Sequence, residues 1–200
     1  MTVNEGTPLS EGWTTLRTDT LHQGRRMSLL RDEITRPNGT PGAFVYLEQP
    51  DGVRVVALDD HNRVALIEED VYVCGRRLLL VPGGGCETGE APEQAAAREL
   101  AEEAGITADK IRLLTPMWRM PASVRTREHL FLARGLHLGE PHRESTETDM
   151  TVHWTPLDEA AAMCRDGRIT EAGTLTAILL TTLALADPSL PESHSGDRHG

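Results

Sequence analysis

Residues 84–106 read GGCETGEAPEQAAARELAEEAGI, a glycine-rich loop running into a helix. Pro92 suits the first helical position, because the N–H it lacks would have no intrahelical partner there. Glu93 and Gln94 fall in the first turn, where negative or acceptor side chains meet exposed N–H groups. Gly105 suits the position just past the helix end, where the backbone turns left-handed. Ala97, Leu100, Ala101 and Ala104 follow at i, i+3, i+4 and i+7 and make a narrow apolar stripe. This spacing predicts a helix over Pro92–Ala104.

The same helix carries a crowd of carboxylates. Glu99 and Glu103 are one turn apart and share a face. Glu102 lies about 60° around the helix from Glu99. Three carboxylates this close repel one another unless something neutralises them. Hard oxygen donors converging on one patch are what Mg²⁺ or Mn²⁺ requires. Arg98 and Glu90 can pair and fix the loop that precedes the helix, while Gly83, Gly84 and Gly85 let the backbone approach metal and phosphate closely. Taken alone, the three glutamates would fit a solvated charged face. The glycines and the arginine at fixed distances favour a metal site.

Upstream, Arg26–Ile34, Ala43–Glu48, Val53–Leu58, Arg63–Glu68 and Arg77–Val81 are short runs rich in Val, Leu and Ile. They are separated by PNG (37–39), PDG (50–52) and DDHN (59–62), which favour turns. The DDHN turn between two alternating runs predicts a hairpin. Downstream, strands are expected at Arg112–Trp118, His129–Ala133 and Thr151–Trp154. Two helices follow, Leu157–Arg165 and about Glu171–Ala186, the second capped by Thr170. Strands, a helix, strands and then helices indicate an α/β (α+β) sandwich. Residues 1–12 read as a flexible N-terminus and 13–187 as one domain, with a β section over about 13–52 and a core over about 53–187. Residues 188–200, PSLPESHSGDRHG, read as a disordered tail.

A chain of 200 residues can bury a core without staples. Its net charge of −11 makes it a poor candidate for nucleic acid or anionic membranes, which attract basic faces. A phosphate-bearing ligand stays open, since a bound divalent metal reverses the local field. Cys74, Cys86 and Cys164 are widely spaced and form no CxxC pair, which argues against a disulfide framework and a structural zinc. No signal-like segment opens the chain. The longest apolar stretch, Leu175–Ala186, is interrupted by threonines and too short to span a bilayer. The cytoplasm is the expected compartment.

The opening stretch fits G-x5-E-x7-R-E-U-x-E-E-x-G-U, with U aliphatic, at Gly84, Glu90, Arg98, Glu99, Leu100, Glu102, Glu103, Gly105 and Ile106. That pattern is the box of the Nudix hydrolases, and the chain resembles this family. PNG (37–39), VVALDDHNRVALIEE (55–69), Pro121 sixteen residues past Gly105, HLFLARGL (129–136) and WTPLDEA (154–160) resemble its ADP-ribose and nucleoside-diphosphate-sugar pyrophosphatase branch. The resemblance implies a Nudix-type α/β/α sandwich with an N-terminal antiparallel β section. It implies a Mg²⁺-dependent hydrolase, with Mn²⁺ as the alternative, that cleaves the pyrophosphate bond of a nucleoside diphosphate linked to another moiety such as ADP-ribose or an NDP-sugar. Glu99 and Glu103, with the Gly83 carbonyl, would be metal ligands, and Glu102 a further ligand or a neighbour of that shell. Gly84, Glu90 and Arg98 would support the box, and Glu102 and Glu103 would serve catalysis. A carboxylate of the 143–150 segment, RESTETDM, would complete the site or activate water, with Glu147 first and Glu144 and Asp149 as alternatives. A homodimer through the N-terminal strands and the 171–186 helix is also implied.

The chain departs from the branch at Glu68–Val71, where an arginine-bearing stretch is usual, at Ala122 in place of Gly, and at Thr126 in place of an acid. Arg119, Arg125 and Arg127 around Pro121 are the candidates to clamp phosphate instead; a solvated basic loop is the equal alternative. Trp118 reads as core, with stacking on a base as the alternative, Trp154 as core, and His129 as a hydrogen-bonded core histidine in preference to a catalytic one. No nucleophile is read at Cys86. Rival functions are hydrolysis of a nucleoside triphosphate or specialised biosynthetic diphosphate, and ligand sensing without catalysis. The intact carboxylates argue against the last.

Overall fold

The computed structural model describes residues 12–141 and 150–186. The N-terminal segment through residue 11, the 187–200 tail, and Glu144, Glu147 and Asp149 lie outside the described residues. The elements are β1 (Thr14–Gln23), β2 (Ser28–Thr35), β3 (Pro41–Glu48), β4 (Gly52–Ala57), β5 (Arg63–Val71), β6 (Arg76–Leu80), α1 (Pro92–Ala104), β7 (Ile106–Trp118), β8 (Val124–Arg125), β9 (Arg127–Leu138), β10 (Thr151–Pro156), α2 (Leu157–Asp166) and α3 (Ala172–Ala186). They fall into two compact units, 12–50 with 120–126, and 51–119 with 127–141 and 150–186.

In the first unit β1, β2 and β3 form an antiparallel meander, and β8 adds in parallel to β3. β1 is not foreseen in the sequence. Its residues, TTLRTDTLHQ, are mostly exposed on both faces, so no apolar period marks it. Ladder bonds to β2 hold it, with the Thr18 hydroxyl donating to Asp32 Oδ1 at 2.6 Å.

The second unit holds two three-stranded sheets, β4–β9–β7 and β10–β5–β6. Strand alternation builds two cores. Val53, Val55, Ala57, Ala65, Phe131 and Ala133 pack with Ala95, Ala96 and Leu100 of α1. Val56, Leu58, Val64, Leu66, Leu130 and Leu132 pack with Leu157, Ala160 and Met163 of α2 and Ala177 and Ile178 of α3. Helices therefore cover both faces of the strands, the Nudix-type α/β/α sandwich. The DDHN turn forms, with Asp59 accepting the N–H of His61 (2.9 Å) and Arg63 (2.7 Å), but the expected hairpin does not: β4 and β5 belong to different sheets and pair only at the isolated Leu58–Val64 bridge. β7 and β9 run longer than expected, because their polar ends keep pairing, as at Thr107 opposite His137 and Lys110 opposite Arg134. The cap of α3 is Glu171, not Thr170: its carboxylate accepts the N–H groups of Gly173 (3.0 Å) and Thr174 (2.7 Å). Among the described residues no helix is long and apolar enough to cross a membrane.

Candidate active site

α1 starts and ends where its sequence requires. Gln94 Oε1 accepts the Ala91 N–H at 3.1 Å. Gly105 takes φ 65° and donates to the Leu100 and Ala101 carbonyls. The buried face of the helix differs from the expected stripe. Ala97 is exposed, and the buried residues are Ala95, Ala96, Glu99, Leu100 and Glu103. A count of apolar residues alone misses this face, because two of its members are glutamates.

Those glutamates are held from both ends. Arg98 donates to Glu90 Oε1 (2.8 Å) and Oε2 (3.0 Å), to Glu99 Oε1 (2.9 Å), to Glu102 Oε2 (3.0 Å) and to the Gly85 carbonyl (3.1 Å). These partners raise the Arg98 pKa, above all the hydrogen bond to Glu90. In return, Arg98 holds the Glu90 carboxyl below the ordinary range. Glu103 Oε2 accepts the Gly83 N–H at 2.8 Å.

The loop before α1 is drawn tight. The carbonyls of Pro82 and Gly84 accept the N–H groups of Val55 and Val53, at 2.8 and 2.9 Å. A Cβ at Gly83 would lie 2.1 Å from the Val53 carbonyl oxygen, and one at Gly84 would lie 2.3 Å from Glu99 Oε1. Glycine is needed at both positions for this close approach.

A divalent cation is implied by the box, and the donors present fit one. Three carboxylates, Glu90, Glu99 and Glu102, pair with the single guanidinium of Arg98, and Glu103 follows one turn beyond Glu99 on the buried face of α1, so negative charge is in excess there. Glu99 and Glu103 are nearly buried despite being acids. Among the described residues no three Asp, Glu, His or Cys side chains form a ready-made metal cage. Mg²⁺ does not demand one, since it commonly uses one or two carboxylates and takes its remaining ligands from water and substrate phosphate.

A second charged cluster lies on the α3 side and has no counterpart in the sequence reading. Arg54 Nε stands 3.3 Å from Glu171 Oε2 and 3.6 Å from Glu128 Oε1, and Arg119 Nε stands 3.7 Å from the same Glu128 oxygen. Glu128 is 1% exposed. Burial pushes its carboxyl up despite Arg54 and Arg119. Burial also works to raise Glu171, but Arg54 and the N–H groups of Thr174 and Gly173 hold it below the ordinary range. The signal available was two charges, Arg54 and Glu128, set in otherwise apolar strands.

The three candidate clamp arginines are all engaged. Arg119 pairs with Glu128. Arg127 stacks on Trp118, 4.9 Å from the ring centre. Arg125 belongs to the first unit, where it donates to Glu48 at 3.0 Å and lies over the Tyr46 ring. Trp118 is 52% exposed, which corrects its expected place in the core. It is the last residue of β7, an edge strand of its sheet. Trp154 is half-buried at the margin of the α1-side core. His129 is hydrogen-bonded as expected, its Nε2 lying 2.9 Å from Asp51 Oδ2. Thr126 is buried and donates to the Pro50 carbonyl at 2.9 Å. Cys86 is buried, and burial raises its thiol pKa, so it stays the less nucleophilic thiol.

The NUDIX domain profile matches residues 48–175. The chain belongs to the Nudix family and is a hydrolase acting on pyrophosphate bonds. It is similar to ADP-ribose pyrophosphatases: that of Mycobacterium tuberculosis is 32% identical over 167 residues, which cover 82% of this chain and 81% of the relative. A CMP-5'-(N-acetyl-N-hydroxy-3-aminopropyl)phosphonate hydrolase from Streptomyces rubellomurinus is 30% identical over 159 residues, covering 80% of this chain and 77% of that protein. The crystal structure of an ADP compounds hydrolase shares the fold, with a TM-score of 0.77 at 20% identity over 94% of this chain and 98% of that one.

Proposed function

We propose that the protein is a Mg²⁺-dependent pyrophosphohydrolase of ADP-ribose or a closely related nucleoside-diphosphate compound. The observation that carries this reading is the excess of carboxylate around Arg98 beside a glycine run that only glycine can form. Glu99, Glu103 and the Gly83 carbonyl would hold the cation, with Glu102 beside them. When bound, a divalent cation neutralises diphosphate charge and acts as a Lewis acid, and Mn²⁺ can substitute. Arg98 orients Glu99 and Glu102 through its hydrogen bonds to both. Glu102, the most exposed of the three, or Glu147 takes a proton from the attacking water. The water oxygen bonds to one phosphorus, the bridging P–O bond breaks, and ADP-ribose yields AMP and ribose 5-phosphate. Arg119 and Arg127 are the clamp for the diphosphate, and Arg125 is the third candidate.

The test is a panel of ADP-ribose, NDP-sugars and nucleoside triphosphates with Mg²⁺ or Mn²⁺, read by product chromatography. AMP and ribose 5-phosphate from ADP-ribose are expected; no turnover of any diphosphate would overturn the reading. A second reading is a specialised CMP-linked or other biosynthetic diphosphate. It is favoured by the Streptomyces relative and by Glu68–Val71, where Glu68 and Asp70 pair with Arg77 instead of offering arginine. Activity confined to such a compound would select it. We also propose a homodimer through the N-terminal strands and α3, supported by exposed Leu16, Leu21, Phe44, Val45 and Leu183. A monomer by light scattering at micromolar concentration would refute it.

A further inference from the structure

Arg54 interrupts an apolar strand, and Glu128 stands at the second position of another. Both occupy the strand face that carries α2 and α3: Arg54 alternates with Val53 and Val55 of the opposite core, and Glu128 shares its side with Leu130 and Leu132. An apolar residue would pack there without loss, whereas a buried carboxylate gives up its water and regains it only in part from its partners. The charges retained here form an alternating chain. It runs from the Arg119 side chain, 38% exposed, through Glu128 at 3.7 Å and Arg54 at 3.6 Å to Glu171 at 3.3 Å. A Cβ at Gly83 would sit 3.0 Å from Arg54 Nη1, and the N–H of that glycine goes to Glu103. A surface cation is thereby connected, through one buried carboxylate, to the glutamate end of the box.

We infer that Glu128 is a positioning residue that sets Arg119 as the clamp for the substrate diphosphate and keeps it in place relative to Glu103 through Arg54. The inference rests on the hydrolase reading above. A free arginine loses rotamer freedom when it grips a phosphate; one pinned by a buried carboxylate has lost much of it already. Glu128 meets both guanidinium groups through Oε1 alone. Its Oε2 is buried without a hydrogen-bond partner and lies against Gly173, where even a Cβ would come within 2.2 Å. The carboxylate is thus wedged in one orientation. At 3.7 Å it engages only one edge of Arg119 and leaves the other N–H donors of the fork for phosphate.

The test is a double-mutant cycle of Glu128→Gln and Arg119→Ala. It is read by calorimetric binding of inorganic pyrophosphate with Mg²⁺, by kcat and KM on ADP-ribose, and by Tm. Glu128→Gln is expected to weaken pyrophosphate binding and raise KM on the order of 10-fold, with kcat little changed and Mn²⁺ affinity in the absence of nucleotide unmoved. The double variant should be no worse than Arg119→Ala. A folded Glu128→Gln protein with wild-type KM and pyrophosphate affinity, or effects that simply add, would overturn the inference. Should Glu128→Gln not fold, Glu128→Asp keeps the charge but shortens the reach. A partial loss of pyrophosphate affinity is then expected, and wild-type affinity overturns it. Coupled pyrophosphate binding in a wild-type protein that leaves ADP-ribose intact would keep the clamp and remove the substrate reading. Failure of the wild type to bind pyrophosphate would remove the clamp.

Discussion

The two charged clusters of the second unit obey opposite rules. Around α1, three glutamates share one arginine. Beside α3, two arginines meet two glutamates. The first cluster has negative charge to spare and suits a cation it does not itself contain. The second is close to neutral and suits holding a shape. The contrast teaches that burial of charge has two uses here: an imbalance creates a demand for a ligand, and a balance fixes geometry without one.

The comparison breaks first at Glu103. If the α1 cluster is catalytic, Glu103→Gln should lower kcat on ADP-ribose by about 10²- to 10⁴-fold while far-UV circular dichroism stays native. Near-wild-type turnover would reduce the cluster to a structural one. Gly83→Ala should act on stability as well. Its Cβ would meet a backbone carbonyl that cannot swing aside, so a loss of about 1–3 kcal/mol is expected in urea unfolding. An unchanged midpoint would mean that the glycine run is looser than the structure has it.

The α1 cluster was legible because its residues are consecutive turns of one helix and a fixed loop. Arg98, Glu99, Glu102 and Glu103 can be placed relative to one another from helical spacing alone, and Glu90 sits in the short loop just before the helix. The α3-side cluster was not legible, because Arg54, Arg119, Glu128 and Glu171 come from β4, the end of β7, β9 and a helix cap. Only tertiary packing brings them together. The same reason explains β1: its pairing with β2 is visible in the ladder and invisible in the polar sequence TTLRTDTLHQ. Ala97 failed for a different reason, since the buried face of α1 is defined partly by acids.

Acid–base behaviour sharpens the contrast. Arg98 holds the folded Glu90 carboxyl low. Its stabilisation is therefore present above the ordinary glutamate pKa of about 4.3 and is lost as pH falls through the lower folded value. Burial holds the Glu128 carboxyl high. Its contribution is present below about 4.3 and is lost as pH rises through the raised folded value. Glu90→Gln should thus flatten the acid side of the Tm profile, and Glu128→Gln should flatten a decline toward neutral pH. Melting scans from about pH 3 to about pH 8 check both. Parallel slopes in the two variants would mean that the clusters do not differ in the way proposed.

The smallest effect belongs to Gln94. It lies in the first turn of α1, and its side chain accepts the Ala91 N–H at 3.1 Å. That N–H is exposed, so Gln94→Ala leaves it to water, and alanine is a better helix former than glutamine. The two terms oppose each other, and the net loss should stay near or below about 0.5 kcal/mol. The substitution touches no carboxylate of the box. KM and kcat on ADP-ribose should therefore not move, although the helix start is slightly weaker. A change in kcat at Gln94→Ala would show that the carboxylates are held by the helix start as well as by Arg98, and the α1 cluster would then be less self-sufficient than its own ion pairs imply.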